Sequence, residues 1–113
     1  MNAQTIFIFT RNGLGHAPEE LQQKLAAKFL QLNLEANTLP AKILFYTDGV
    51  KLACEDSPVI DTLRAIKEHG VELILCSTCL DFYGLREKVA VGIVGGMPDI
   101  IEAMNAAGKV ISL

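Results

Sequence analysis

Three short, nearly unbroken runs of apolar and β-branched residues constrain this chain more than any other feature: Thr5-Ile6-Phe7-Ile8-Phe9-Thr10, Lys42-Ile43-Leu44-Phe45-Tyr46-Thr47 and Val71-Glu72-Leu73-Ile74-Leu75. A strand with one wet face alternates apolar and polar residues, whereas a continuous run of this length suits a strand buried on both faces. Helix signals lie between the runs. Pro18-Glu19-Glu20 puts a proline in a first turn and two carboxylates near the positive end of a helix dipole, and Leu21, Leu25, Phe29 and Leu32 then share one face. Ser57-Pro58 opens a second helix, with Val59, Leu63 and Ile66 expected inward and Gly70 as its stop.

The last third is weaker in pattern. Residues 80–88 can form only a brief helix, because Gly84 interrupts it. Residues 89–92, extending toward Val94, read as a short fourth strand. Gly95-Gly96-Met97-Pro98-Asp99 starts a last helix with Ile100, Ile101, Met104 and Ala107 as its apolar face and Gly108 at its end, and residues 109–113 form strand five. Strands alternating with helices imply βαβ units with right-handed crossovers, hence an α/β fold: a parallel sheet with helices on both faces. The first three strands belong in the centre and the last two at the edges. At 113 residues, residues 1–113 make a single domain.

The third run delivers two cysteines at once, in Leu75-Cys76-Ser77-Thr78-Cys79-Leu80-Asp81-Phe82-Tyr83. The carboxyl ends of parallel strands are where ligands bind in open α/β sheets. With Thr78 as N-cap and Asp81 as its capping-box partner, Cys79 falls in the first turn of a helix. That position favours thiolate over thiol, an effect the Asp81 charge opposes. Cys76 and Cys79 are therefore the candidate reactive pair. Free cysteines also serve as small core hydrophobes, but packing alone does not explain two thiols at this one topological position.

Other residues are candidates for the site's surroundings. Cys54, beyond the turn after the second run, can approach the dithiol because strand ends cluster, although a passive thiol is the preferred reading. His16 follows the glycines of Arg11-Asn12-Gly13-Leu14-Gly15 and can adjust a neighbouring thiolate, or be a polar turn residue. Position 18 is proline where a dinucleotide fingerprint needs a small residue, so the glycines read as turn residues. Tyr83, with Phe82, can wall a pocket or meet another subunit. Asp48 resembles a phospho-acceptor aspartate, but no acidic pair ends the first strand to hold Mg²⁺. The cysteines and histidines are too scattered for a structural zinc site, so neither metal nor cofactor is expected.

Net charge is −3 with Lys and Arg scattered singly, which argues against a nucleic-acid surface. No apolar run approaches the ~18 residues of a membrane span, and the first ten residues lack a signal-peptide pattern. A cytoplasmic protein is expected. Half the residues are hydrophobic and a fifth are charged; this apolar surplus suits burial between subunits, so a homo-oligomer, dimer or trimer, is also expected.

The run from Leu75 to Leu85 resembles the Cys-Gly-Thr-Cys-Leu-x-x-Tyr segment of the DsrE-like domain found in YedF-type selenium-metabolism proteins. The similarity extends through Glu20-Leu21, Phe29-Leu30, Gly49-Val50-Lys51-Leu52, Ser57-Pro58-Val59-Ile60, Val91-Gly92 and Met97. It implies a DsrE/DsrF-like three-layer α/β/α fold with a five-stranded parallel sheet in the order 4-3-2-1-5. It also implies sulfur, or selenium, carried as a cysteine persulfide on Cys76, with Cys79 a feature of the YedF-like branch. The donor or acceptor would be a TusA-like protein acting in trans. A dithiol-disulfide redox protein and a non-catalytic oligomeric regulatory module are the alternatives.

Overall fold

The computed structural model describes residues 2–113, with side chains described from residue 4 onward. Five strands form the sheet: β1 (Asn2–Phe9), β2 (Pro40–Phe45), β3 (Glu72–Cys76), β4 (Ile93–Gly95) and β5 (Lys109–Ser112). All neighbours pair in parallel, in the order β4-β3-β2-β1-β5. This is the expected architecture, with the three apolar runs in the middle and the weak strands at the rims.

The register explains why the runs are continuous. Ile6 pairs with Lys42, Leu44 with Ile74 and Phe45 with Leu75. Phe7, Phe9, Ile43, Phe45, Leu73 and Leu75 therefore point to one face, and Ile6, Ile8, Leu44 and Ile74 to the other; all ten are buried. Each such side chain contributes about 1.5–3 kcal/mol by leaving water. Phe9 and Phe45 stack at 5.7 Å between centroids across neighbouring strands.

Helices α1 (Glu19–Ala36) and α2 (Ile60–Glu68) pack together. Phe29 of α1 meets Phe7 at 5.2 Å, which fixes their face of the sheet. Each step from β1 to β4 moves one place in the same direction, while the return from β4 to β5 crosses the sheet, so the right-handed rule puts α4 (Met97–Ala106) on the opposite face. There α4 contacts β1, β3 and β4. In α2 the expected inward residues Val59, Leu63 and Ile66 are all buried.

Two helix faces differ from expectation. In α1 the buried residues are Gln22, Ala26 and Leu30, with Phe29 partly buried, whereas Leu21, Leu25 and Leu32 are exposed. The helix is turned about a quarter turn because Gln22 is tied to the preceding loop: its Nε2 donates to the Gly15 carbonyl at 2.8 Å, and its own carbonyl accepts from Leu14 N–H at 2.9 Å. In α4, Ile100 and Ala103 face the core and Ile101 is exposed.

The fourth strand also begins later than expected, at Ile93. The chain before it is claimed elsewhere: Ala90 and Val91 donate to the Ala53 carbonyl, and Val89 bridges Cys54. Gly92 then turns the chain at φ 93°, tight against Leu73 and Leu75 where a side chain would collide.

Candidate functional site

The site lies at the carboxyl ends of β2 and β3, which are hydrogen-bonded neighbours. Strand β3 runs directly into a seven-residue helix, α3 (Ser77–Tyr83). Cys76 is the last residue of the strand and also the N-cap, with backbone φ −67° and ψ 120°. The expected cap at Thr78 is therefore wrong by two positions. Thr78 sits exposed inside the first turn, and Asp81 is not a capping-box partner but grips the Arg86 guanidinium through both oxygens, at 2.8 and 2.7 Å. Leu73, Ile74 and Leu75 are so firmly buried in the sheet that the strand runs on until Cys76 and the helix starts at once.

Cys76 is 1% exposed, while Cys79 is partly exposed. The two thiols are neighbours, and Cys76 disfavours charge on Cys79. Beside them the chain leaving β2 forms a 3-10 segment, Thr47–Ala53, whose first residue donates its backbone N–H to Cys79 Sγ at 3.0 Å. Thr47 holds a left-handed conformation, φ 50°, seldom occupied by a β-branched residue. Its hydroxyl lies 2.5 Å from the Thr10 carbonyl and 2.7 Å from that of Tyr46, which binds the ends of β1 and β2 together.

A second set of contacts ties α3 to the same segment. Tyr83 donates its hydroxyl to Asp48 Oδ1 at 2.5 Å, Lys51 Nζ lies 3.3 Å from the same oxygen, and that ammonium sits 4.5 Å over the Tyr83 ring. The Tyr83 hydrogen bond, with help from Lys51, holds the Asp48 carboxyl below its ordinary range, and the same bond pushes the Tyr83 hydroxyl up. Gly84 ends α3 at φ 67°.

Burial pushes the Cys79 thiol up from its ordinary value; the Thr47 amide offsets part of this, and Cys76 adds to it. The expectation that a helix terminus would make Cys79 a low-pKa thiol is therefore overturned. Cys54 is likewise pushed up, by burial and then by Glu55. It directs its thiol at the Val50 carbonyl, 3.2 Å away, and lines a shallow cavity with Asn12, Gln23 and Leu85.

The structure thus gathers Cys76, Cys79 and Tyr83 into one site, with Thr78 on its exposed rim. Cys54 faces its own cavity, and His16 lies exposed on the loop after β1. In that loop the Leu14 N–H is already used by Gln22, consistent with ordinary turn glycines. Thr47, Asp48 and Lys51 are site residues that the sequence did not mark as such. The signal available was topological: loops after adjacent strands β2 and β3 must meet. Among the described residues no group of three or more His, Cys, Asp or Glu could hold a metal ion, and no helix is long and apolar enough to cross a membrane.

The DsrE/DsrF-like family model matches residues 5–113. No curated protein is a detectable match. Among solved structures, the chain is similar in fold to the YchN protein of Escherichia coli, with TM-score 0.72, 18% identity and coverage of 97% of this chain and 99% of that one. MTH1491 of Methanobacterium thermoautotrophicum has TM-score 0.72 and 15% identity over 99% and 100% of the two chains. BT1422 of Bacteroides thetaiotaomicron has TM-score 0.69 and 15% identity over 97% and 95%.

Proposed function

We propose, from the premise that this chain belongs to the DsrE/DsrF-like family, that it is a sulfur-handling protein whose Cys76–Cys79 pair receives a sulfane sulfur from a donor persulfide and passes it on. The observation that carries this reading is the placement of two neighbouring thiols where β3 ends beside β2. A thiolate is a good nucleophile toward sulfane sulfur, and a neighbouring thiol can receive or release what the first has taken. The resemblance of the Leu75–Leu85 segment to YedF-type domains supports sulfur or selenium as the cargo and a TusA-like protein as donor or acceptor. A cytoplasmic homo-oligomer fits the reactive thiols and the exposed apolar side chains.

The test is a mass spectrum after incubation with a persulfide donor. A gain of one sulfur atom, lost in the Cys76→Ser, Cys79→Ser double variant, is the expected result; a wild-type protein that neither gains sulfur nor releases sulfide from the donor would refute the proposal.

The proximity of the two thiols also favours a second reading, dithiol-disulfide exchange with protein substrates. It requires a reversible Cys76–Cys79 disulfide and insulin reduction that depends on both residues. A dithiol that resists mild oxidation eliminates it.

A further inference from the structure

We propose that Cys79 is the thiol that first takes the incoming sulfur, that Thr47 is the residue positioning it, and that the buried Cys76 is the resolving thiol. The inference rests on the sulfur-handling function above and gives the two thiols an order. It reverses the assignment implied by family resemblance, which puts the carried sulfur on Cys76.

Access is the first argument. A sulfur transfer needs the attacking sulfur, the sulfane sulfur and the leaving sulfur nearly in line. Cys76, at 1% exposure under the end of the sheet, presents no surface to an external donor, whereas Cys79 is partly open.

Preorganisation is the second. The Thr47 N–H is already aimed at Cys79 Sγ from 3.0 Å. A fixed backbone donor stabilises negative charge on the sulfur it faces and selects one side-chain orientation. Thr47 makes this contact from φ 50°, a sparsely populated conformation, while its hydroxyl is tethered to the Thr10 carbonyl. From the other side, the Tyr83 hydroxyl on Asp48 and Lys51 against both hold α3 to the segment that begins at Thr47. Cys76 has no comparable donor among the contacts of the described residues.

The chemistry balances with the two thiols and the donor. Cys79, after losing its proton to water, attacks the terminal sulfur of R–S–SH. The Sγ–S bond forms, the donor's S–S bond breaks, and R–S⁻ departs with the electron pair, leaving Cys79–S–SH. An acceptor thiolate can then take the outer sulfur. If none arrives, Cys76 as thiolate attacks Cys79 Sγ, the Cys76–Cys79 disulfide forms, and the outer sulfur leaves as HS⁻. The sulfane sulfur is reduced to sulfide while the two thiols are oxidised, and two equivalents of an external thiol restore the pair.

The experiment uses glutathione persulfide as the probe, with peptide mapping and sulfide detection. Cys76→Ser should hold one added sulfur on Cys79 and release little hydrosulfide, while Cys79→Ser should lose uptake. Wild type should gain sulfur and then convert to the disulfide with release of HS⁻. Uptake that persists in Cys79→Ser, with the sulfur on Cys76, overturns the order of the thiols. Absence of both uptake and sulfide release by wild type overturns the sulfur-handling function itself, a distinct outcome.

The role of Thr47 is read from the pH profile of Cys79 alkylation, with every variant made in Cys54→Ser, Cys76→Ser protein. Thr47→Gly keeps the backbone conformation accessible but removes the hydroxyl tether. It should move the profile up by about half a unit to one unit and slow sulfur uptake at pH 7 by about three- to tenfold. Thr47→Ser, which keeps the tether, should restore the parent profile. A Thr47→Gly profile superimposed on the parent overturns the positioning role. If Thr47→Gly does not fold, the Cys76→Ser and Cys79→Ser comparison still decides the order.

Discussion

The backbone amide of Thr47 and the sulfur of Cys79 meet at 3.0 Å although they lie 32 positions apart in sequence. The contact joins the end of β2 to the helix that follows β3, so the chemistry of the thiol depends on a residue outside its own motif.

Cys79 should react with iodoacetamide in a strongly pH-dependent way. Burial raises its thiol, so at neutral pH only a small thiolate fraction exists, and the rate should rise about tenfold per pH unit between pH 7 and 8. Cys54 and Cys76, both buried, should be protected until the protein opens. Peptide-resolved alkylation kinetics check this, and a plateau for Cys79 below pH 8 would contradict it.

Acid should loosen the link between α3 and the Thr47–Ala53 segment in a defined window. The Asp48 carboxyl is held below its ordinary range by Tyr83 and then Lys51. A depressed folded-state value means the stabilisation is present above the unfolded-state pKa, about 3.9, and is lost as pH falls through the folded value. Because Asp48 is half exposed, the contribution should be about a few tenths of a kcal/mol. Urea midpoints of wild type and Asp48→Asn should differ by a constant amount from pH 7 to 5 and converge below about pH 4.

Gly49→Ala should be destabilising and should also disturb the thiol. A Cβ at Gly49 would collide with the Phe9 carbonyl, which accepts from Tyr46 N–H where β1 and β2 end. Pushing the 3-10 segment off the sheet should cost about 1–3 kcal/mol and change the rate of Cys79 alkylation as well. Denaturant unfolding with alkylation kinetics on the same sample measures both, and an unchanged alkylation rate would separate the two loci.

Oligomer formation should depend on the α1 surface. Leu21, Leu25 and Leu32 fall in one stripe at helical spacing and are 47%, 39% and 62% exposed. Light scattering at micromolar concentration should give a dimer or trimer, and Leu25→Glu should shift it toward monomer with the circular dichroism unchanged. A wild-type monomer contradicts this.

Much of the architecture was legible in the residues because burial on both faces leaves a local mark. Ile6-Phe7-Ile8-Phe9 and Leu73-Ile74-Leu75 carry no polar position, and only a central parallel strand asks for that. The orientation of α1 was not legible. Four apolar residues, Leu21, Leu25, Phe29 and Leu32, make a better-looking stripe than Gln22, Ala26 and Leu30. The decisive contacts, Gln22 to the Gly13–Gly15 loop and Phe29 to Phe7, exist only once the helix is docked.

The same division holds at the site. By itself the sequence determined that two thiols follow a buried strand and that a glycine at position 84 keeps the helix after them short, since strand propensity, apolar content and the low helix propensity of glycine are properties of neighbouring residues. Tertiary structure alone decided which thiol is buried, which amide faces the other, and that Tyr83 reaches Asp48. Those outcomes follow from β2 and β3 being neighbours in the sheet, which brings the chain after Phe45 against the chain after Leu75. No local periodicity encodes a contact between segments more than thirty residues apart.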